Sequence, residues 1–353
     1  MVAALCAPFV TAQEQTTAPA GQSQQAPAAP NDQVTPEIVN DVEMNREKDG
    51  SLSIVKTRED YGTLTLAGSD LVPEEPLPGG HEENKDFVRD LYRVEWRAND
   101  PIDLYVIRPA GVKNPPVVLY LYGFPTDTDR FRDADYCRRV TANGAAAVGF
   151  VSALTGQRFH NRPMKQWFVS EMPESLATSV HDVQMILNYL QTRGDLDMGH
   201  VGMFGQGSGG AIAILAASVD PRIKAVDLLA PWGDWPDWLA QSTVVPPGER
   251  ADYVKPEFLK KLEPLEPVHA LPSLKDRKVR IQFVDMPPPM KSTRALEDAA
   301  PKDATVVHFE GTKQLFTASA GGRLFQWLPQ QLKPQGSPTA QAAVTPLKEG
   351  RPN

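Results

Sequence analysis

The chain has 353 residues and a formal net charge of −8, with 41% hydrophobic and 23% charged residues. That balance belongs to a folded protein with a sizeable core. Its acidity, and the lack of any Lys/Arg run, exclude a basic stripe for nucleic acid. No apolar run approaches the roughly 20 residues that span a bilayer, so no integral membrane segment is expected in the mature chain.

From the N-terminus, Met1–Ala12 is small and apolar and ends in Val10-Thr11-Ala12. It resembles the end of a secretory signal peptide with a small-x-small cleavage site, although no Lys or Arg precedes Arg46 and the basic n-region is missing. The expectation is an exported protein, periplasmic or extracellular, in which Cys137 is the one remaining thiol. Residues 13–36 are rich in Gln, Ala, Pro and Thr and cannot bury enough surface to offset ordering, which predicts a flexible leader. Residues 333–353 read as a similar tail. An N-terminal extension over 37–90 includes an expected hairpin, Leu52–Val55 with Thr63–Leu66.

The ordered pattern runs over 91–332. Arg93–Arg97 and Ile102–Arg108 are extended runs parted by the turn signal Asn99-Asp100-Pro101. Val117–Leu121 and Ala145–Val151 are continuous apolar runs, as in strands buried on both faces. Apolar residues at three- and four-residue spacing predict an amphipathic helix over Ser175–Thr192. There follow His200–Phe204 (strand), Gly209–Val219 (helix), Ile223–Leu229 (strand), Val279–Val284 (strand), Thr293–Ala299 (helix) and Thr305–Phe309 (strand). A last helix is expected from Gly322 to Leu328. Strands alternating with helices imply a doubly wound, mostly parallel α/β sheet, here with an antiparallel N-terminal edge. Residues 232–274 interrupt the alternation after the sixth expected strand and read as a cap insertion over the carboxyl end of the sheet.

The segment Val201-Gly202-Met203-Phe204-Gly205-Gln206-Gly207-Ser208-Gly209-Gly210-Ala211 resembles the strand, elbow and helix of the α/β-hydrolase superfamily. Its nearest flavours are the dienelactone-hydrolase, acetyl-xylan-esterase and prolyl-oligopeptidase-like groups. Such an elbow carries a nucleophilic serine on a strained turn between two glycines, and the next backbone N–H helps to bind an oxyanion. Aligned by Gly205 and Gly209, the nucleophile position is Gly207. Glycine there relieves the cost of a positive φ and leaves no nucleophile. Ser208 is the alternative nucleophile, but one helical step turns a side chain by about 100° away from the apex.

The resemblance also implies a histidine after the last strand, and Gln314 stands there. Of the six histidines, only His308 is near, and it sits within the strand as a packing or edge residue. His81, His160, His181, His200 and His269 receive no role. The resemblance implies the triad acid at Asp285, ending the strand at Val284, with Asp234 as the alternative location; without a histidine to orient, either carboxylate reads more simply as a solvated loop residue. Backbone N–H groups of Phe124 and Ser208 are placed to converge on an anion or carbonyl. Tyr122, Trp232, Trp235 and Trp238 are expected around a pocket or under the cap; the tryptophans stack on a ligand in one reading and bury the underside of the cap in the other.

With no Cys/His cluster and no His-Glu-x-x-His motif, neither a metal nor another cofactor is expected. The expectation is therefore an exported hydrolase-fold protein with a degenerate Ser-His-Asp triad and a small-molecule or sugar ligand. The alternative is an active esterase or peptidase using Ser208 or a nonstandard site. Oligomeric state is left open.

Overall fold

The strands of this chain assemble into one nine-stranded sheet of order β1-β2-β3-β5-β4-β6-β7-β8-β9. The computed structural model describes residues 66, 76–94, 102–124, 128–154, 172–285, 290–320 and 322–333. All of them lie in one compact unit, Asn45–Asn353. The expected leader, the tail beyond Lys333 and the hairpin strand Leu52–Val55 lie outside the described residues.

The strands are β1 (Leu77–Glu83), β2 (Phe87–Val94), β3 (Ile102–Pro109), β4 (Pro116–Leu121), β5 (Ala146–Gly149), β6 (Asp197–Gln206), β7 (Ile223–Leu229), β8 (Lys278–Val284) and β9 (Thr305–Phe309). Strands β4 to β9 pair with one another in parallel, while the β1–β2, β2–β3 and β3–β5 pairings are antiparallel. The antiparallel edge is thus one strand longer than expected. β1 and the start of β2 come from residues assigned to the N-terminal extension, so the sheet begins at Leu77. The cap consequently follows the seventh strand. β1 escapes the hydrophobic pattern because almost all of it is exposed.

Both faces of the sheet are covered, as its continuous apolar strands require. Val117, Leu119 and Leu121 of β4 enter one core with the helices α2 (Met172–Arg193) and α3 (Ser208–Val219). Val118 and Tyr120 enter the other, shared with α1 (Ala134–Thr141). α3 is apolar nearly all round and buried from Ser208 to Ala217, so it is a central helix rather than a surface one.

The cap is built of short helices, α4 (Trp235–Gln241), α5 (Arg250–Tyr253), α6 (Pro256–Leu262) and α7 (Pro267–Ala270). After β8 come α8 (Lys291–Ala299) and, beyond β9, α9 (Gly311–Ala320) and α10 (Trp327–Gln331). α9 has no counterpart among the expected elements, and the last helix starts later than expected, after a 3₁₀ turn at Arg323–Phe325. Glycine at both ends of α9 and its weak apolar periodicity hid it.

Two polar networks pin this layered body. Arg193, at the end of α2, donates to Asp195 at 2.9 and 3.0 Å, to Tyr92 at 2.8 Å and to Asp90 at 3.3 Å. That ties α2 to the antiparallel edge. Deeper, Asp227 of β7 is fully buried and receives Arg280 Nε at 2.8 Å, Arg280 Nη2 at 2.5 Å and Gln282 Nε2 at 2.8 Å. Burial pushes its carboxyl up, against the pull of Arg280. Arg280 in turn lies over Trp327, docking α10. Removing one partner leaves the other charge buried. Asp227→Ala is therefore expected to cost about 3–5 kcal/mol of unfolding free energy in urea titrations.

Candidate functional site

β6 passes into α3 through the single residue Gly207, at φ 56° and ψ −119°. Only glycine adopts such a backbone cheaply. Both polar groups of that peptide unit are used. Its N–H donates to Leu229 O at 3.0 Å, and its carbonyl accepts from Gly210 N, Ala211 N and Trp232 N at 3.0, 3.2 and 3.1 Å. The bonds to Leu229 and Trp232 lock the elbow to the loop that follows β7. Helix α3 packs hard against the sheet: a Cβ on Gly209 would lie 2.1 Å from Leu121 O.

At the apex, a Cβ on Gly207 would stand 3.3 Å from Trp232 Nε1 and 3.7 Å from Gly123 Cα. The space a nucleophile would enter is thus bordered by the Trp232 indole. That ring packs against Trp238 with centroids 4.3 Å apart and planes tilted by 36°, and Trp238 meets Trp235 edge-on at 5.9 Å. Trp235 and Trp238 are buried, and Trp235 Nε1 donates to Leu265 O at 2.8 Å. Trp232 is half-buried.

Ser208 is fully buried, and its Oγ accepts from Phe124 N at 3.0 Å. The structure brings together the two residues whose N–H groups were expected to converge, but the Ser208 hydroxyl itself takes up the Phe124 N–H. Tyr122 turns its ring into the second core, against Phe131 and Phe204, with its hydroxyl 2.5 Å from that of Tyr136. Arg130 stacks over the Tyr122 ring at 3.5 Å. Tyr122 therefore belongs with that packed cluster, not with the three tryptophans.

Gln314 sits in the first turn of α9, exposed, and its Oε1 accepts from Glu310 N at 2.6 Å. This bond satisfies an N–H at the helix start, in the manner of a capping side chain. Asp285 directly follows β8 and its carboxylate meets His308 Nδ1 at 2.9 Å. The imidazole Nε2 lies 3.6 Å from Glu297 Oε2, and the ring packs on Phe283 at 5.4 Å. His308 is exposed on the last strand of the sheet, as an edge residue. The Asp285 bond holds its imidazolium above the ordinary value, with Glu297 adding to the effect against partial desolvation.

Asp234 has the left-handed backbone φ 54°, ψ 64° before α4. Its N–H and that of Trp235 both donate to the buried Glu266 carboxylate, at 2.8 and 2.9 Å, and Val268 N joins them at 3.1 Å. Glu266 thereby closes the starts of α4 and α7 together. Burial, then the charge of Asp237, raises the Asp234 carboxyl above its ordinary value. Among the described residues, no group of three or more His, Cys, Asp or Glu side chains is placed to hold a metal ion, and no helix is long and apolar enough to cross a membrane.

Two outcomes follow from this geometry. Gly207→Ser is expected to cost about 1–3 kcal/mol in denaturant unfolding, because serine would be held at a strained φ with Trp232 close by. The His308–Asp285 pair should stabilise the fold most below about pH 6.5, where the imidazole is charged in both states, and fade as pH rises through its raised folded pKa. NMR titration of His308 should show that pKa falling in Asp285→Asn.

Comparison with known proteins adds the frame. No family model matches the chain, and no curated protein matches it. Solved structures do. Acetyl xylan esterase 1 from Thermoanaerobacterium is similar at a TM-score of 0.54 and 14% identity, over 77% of this chain and 93% of that one. A cold-adapted esterase from an Arctic intertidal metagenomic library is similar at 0.51 and 15%, over 74% and 100%. S-formylglutathione hydrolase from Agrobacterium tumefaciens is similar at 0.51 and 13%, over 73% and 100%. At such identities the likeness establishes architecture. With its sheet order and its elbow at Gly207, this chain has the α/β-hydrolase fold, and its structural neighbours include esterases.

Proposed function

We infer that this protein is a catalytically degenerate member of its fold, exported, that keeps a small-molecule binding role in place of hydrolysis. The observation that carries this reading is the elbow apex: glycine at 207, facing the Trp232 indole. Two further features support it. The Ser208 hydroxyl is buried and already accepts the Phe124 N–H. Gln314, in the position implied for the histidine, is bonded to its own helix start.

The magnitudes favour loss of turnover. Removing a serine nucleophile costs on the order of a millionfold in a serine hydrolase. The oxyanion donors and substrate binding then retain only about 10³–10⁴-fold over water. Here the Phe124 donor is itself occupied, so the remnant is smaller still. The alternative reading, an active esterase or peptidase built on Ser208, needs that hydroxyl to leave Phe124 and find a base. Among the described residues the imidazole nearest the implied position, His308, is bonded to Asp285 at the sheet edge.

A fluorophosphonate probe with adduct mapping by mass spectrometry tests the reading. The purified chain is expected to remain unlabelled and to leave p-nitrophenyl acetate unhydrolysed above background. A Gly207→Ser, Gln314→His double variant is expected to gain measurable hydrolysis. An adduct on Ser208 of the unaltered protein would sink the inference.

A further inference from the structure

The helices of the cap leave a cavity of about 430 Å³ between α4, α6, α7 and α8. Its walls are those of a ligand site: apolar surface from Trp235, Leu259 and Val268, with a few charged groups among them. The elbow residues Gly207, Ser208 and Phe124 are not part of its lining.

The charges of this lining do not cancel evenly. Glu266 is spoken for, its carboxylate accepting the N–H groups of Asp234, Trp235 and Val268. Lys260 and Glu263 are both exposed and stand three residues apart, so they offset each other at the rim. His269 is exposed. Asp234 remains, half-buried, where loss of hydration and the charge of Asp237 disfavour its negative charge, and the Asp237 backbone N–H and Lys291 relieve it only in part. Its left-handed backbone is one that Asp and Asn adopt more readily than other side-chain-bearing residues. A partly desolvated carboxylate beside apolar walls is complementary to a positive group that brings its own apolar surface.

We propose that this groove binds a small organic cation, an amine carried on an apolar body, with the Asp234 carboxylate as its counter-ion. The ammonium replaces the water that Asp234 has lost, and the body covers the half-buried side chains of Leu259 and Val268. This names a ligand class for the binding role inferred above and rests on that role. It does not require the elbow to be inactive.

Calorimetric titration of the full-length protein with tryptamine, 3-ethylindole and indole-3-propionate is the test, since the three share one body and differ in charge. Tryptamine should bind about tenfold or more tightly than either of the others. Its affinity should fall as pH is lowered through the Asp234 titration. Asp234→Asn should weaken it by a similar factor, and asparagine tolerates the left-handed backbone, so the fold should persist. Ala295→Arg, on the α8 wall, should weaken it independently. No binding of tryptamine at millimolar concentration, equal binding of the three compounds, or indifference to both substitutions would overturn the proposal. Fluorophosphonate labelling of Ser208 would overturn the inactive elbow alone, whereas failure of the amine titration would leave the elbow reading untouched.

Discussion

The peptide unit of Gly207 is the joint on which this molecule turns. One residue must carry the chain from the end of β6, deep in the sheet, into the first turn of α3 lying across it. That reversal needs a positive φ, and it leaves a carbonyl pointing at the neighbouring loop. Gly207 O answers by accepting three N–H groups, one of them from Trp232, while its own N–H goes to Leu229. The strand, the helix and the start of the cap are therefore fixed by one backbone unit. The cap loop then continues through Asp234 and Trp235 to the Glu266 carboxylate, which sets α4 against α7. From elbow to cap, the positions follow from hydrogen bonds that a buried main chain must make.

This dependence explains what could be read from the sequence. Strands rich in apolar residues announce themselves, so Ile223–Leu229, buried apart from Lys224, and the partly exposed edge strand Thr305–Phe309 are both expected at the bounds observed. The long helix α2 carries a clear helical period, and the Gly-rich elbow marks its own turn. The edges were less legible. β1, Leu-Pro-Gly-Gly-His-Glu-Glu, buries almost nothing and owes its existence to pairing with β2, which no local pattern encodes. α9 is not legible because glycine opens it and its partners lie elsewhere in the chain.

The site was legible in its backbone and much less so in its side chains. Phe124 and Ser208 meet, as the elbow implied, but the hydroxyl of one fills the donor of the other. Tyr122 follows Leu121 into the loop, and alternation along β4 sends its ring to the face already holding Tyr120. His308 and Asp285 meet because parallel pairing sets Phe283 beside His308 and brings the end of β8 to the end of β9. Sequence separation conceals such a partnership. The raised pKa of Asp234 and the groove it lines depend on four helices meeting, and no single segment reports that.

The glycines of the elbow therefore carry a different message from the residue between them. Gly209 cannot bear a side chain, since a Cβ there would reach 2.1 Å from Leu121 O, and Gly205 faces the same limit against Gly209 O at 2.4 Å. These are requirements of helix α3 lying close on β4 and β6, and they hold whether or not any ester is ever cleaved. The apex residue is limited differently: a Cβ at Gly207 would meet the Trp232 indole at 3.3 Å and sit at a strained positive φ, a cost of about 1–3 kcal/mol rather than a collision with backbone. Packing thus dictates the flanking glycines, while chemistry alone would dictate a serine at the apex. A chain can lose the second without disturbing the first, because the backbone bonds to Leu229 and Trp232 do not involve the apex side chain. The flanking glycines of the signature are consequently a record of close packing, and any activity turns on the apex, where a side chain is strained but not excluded.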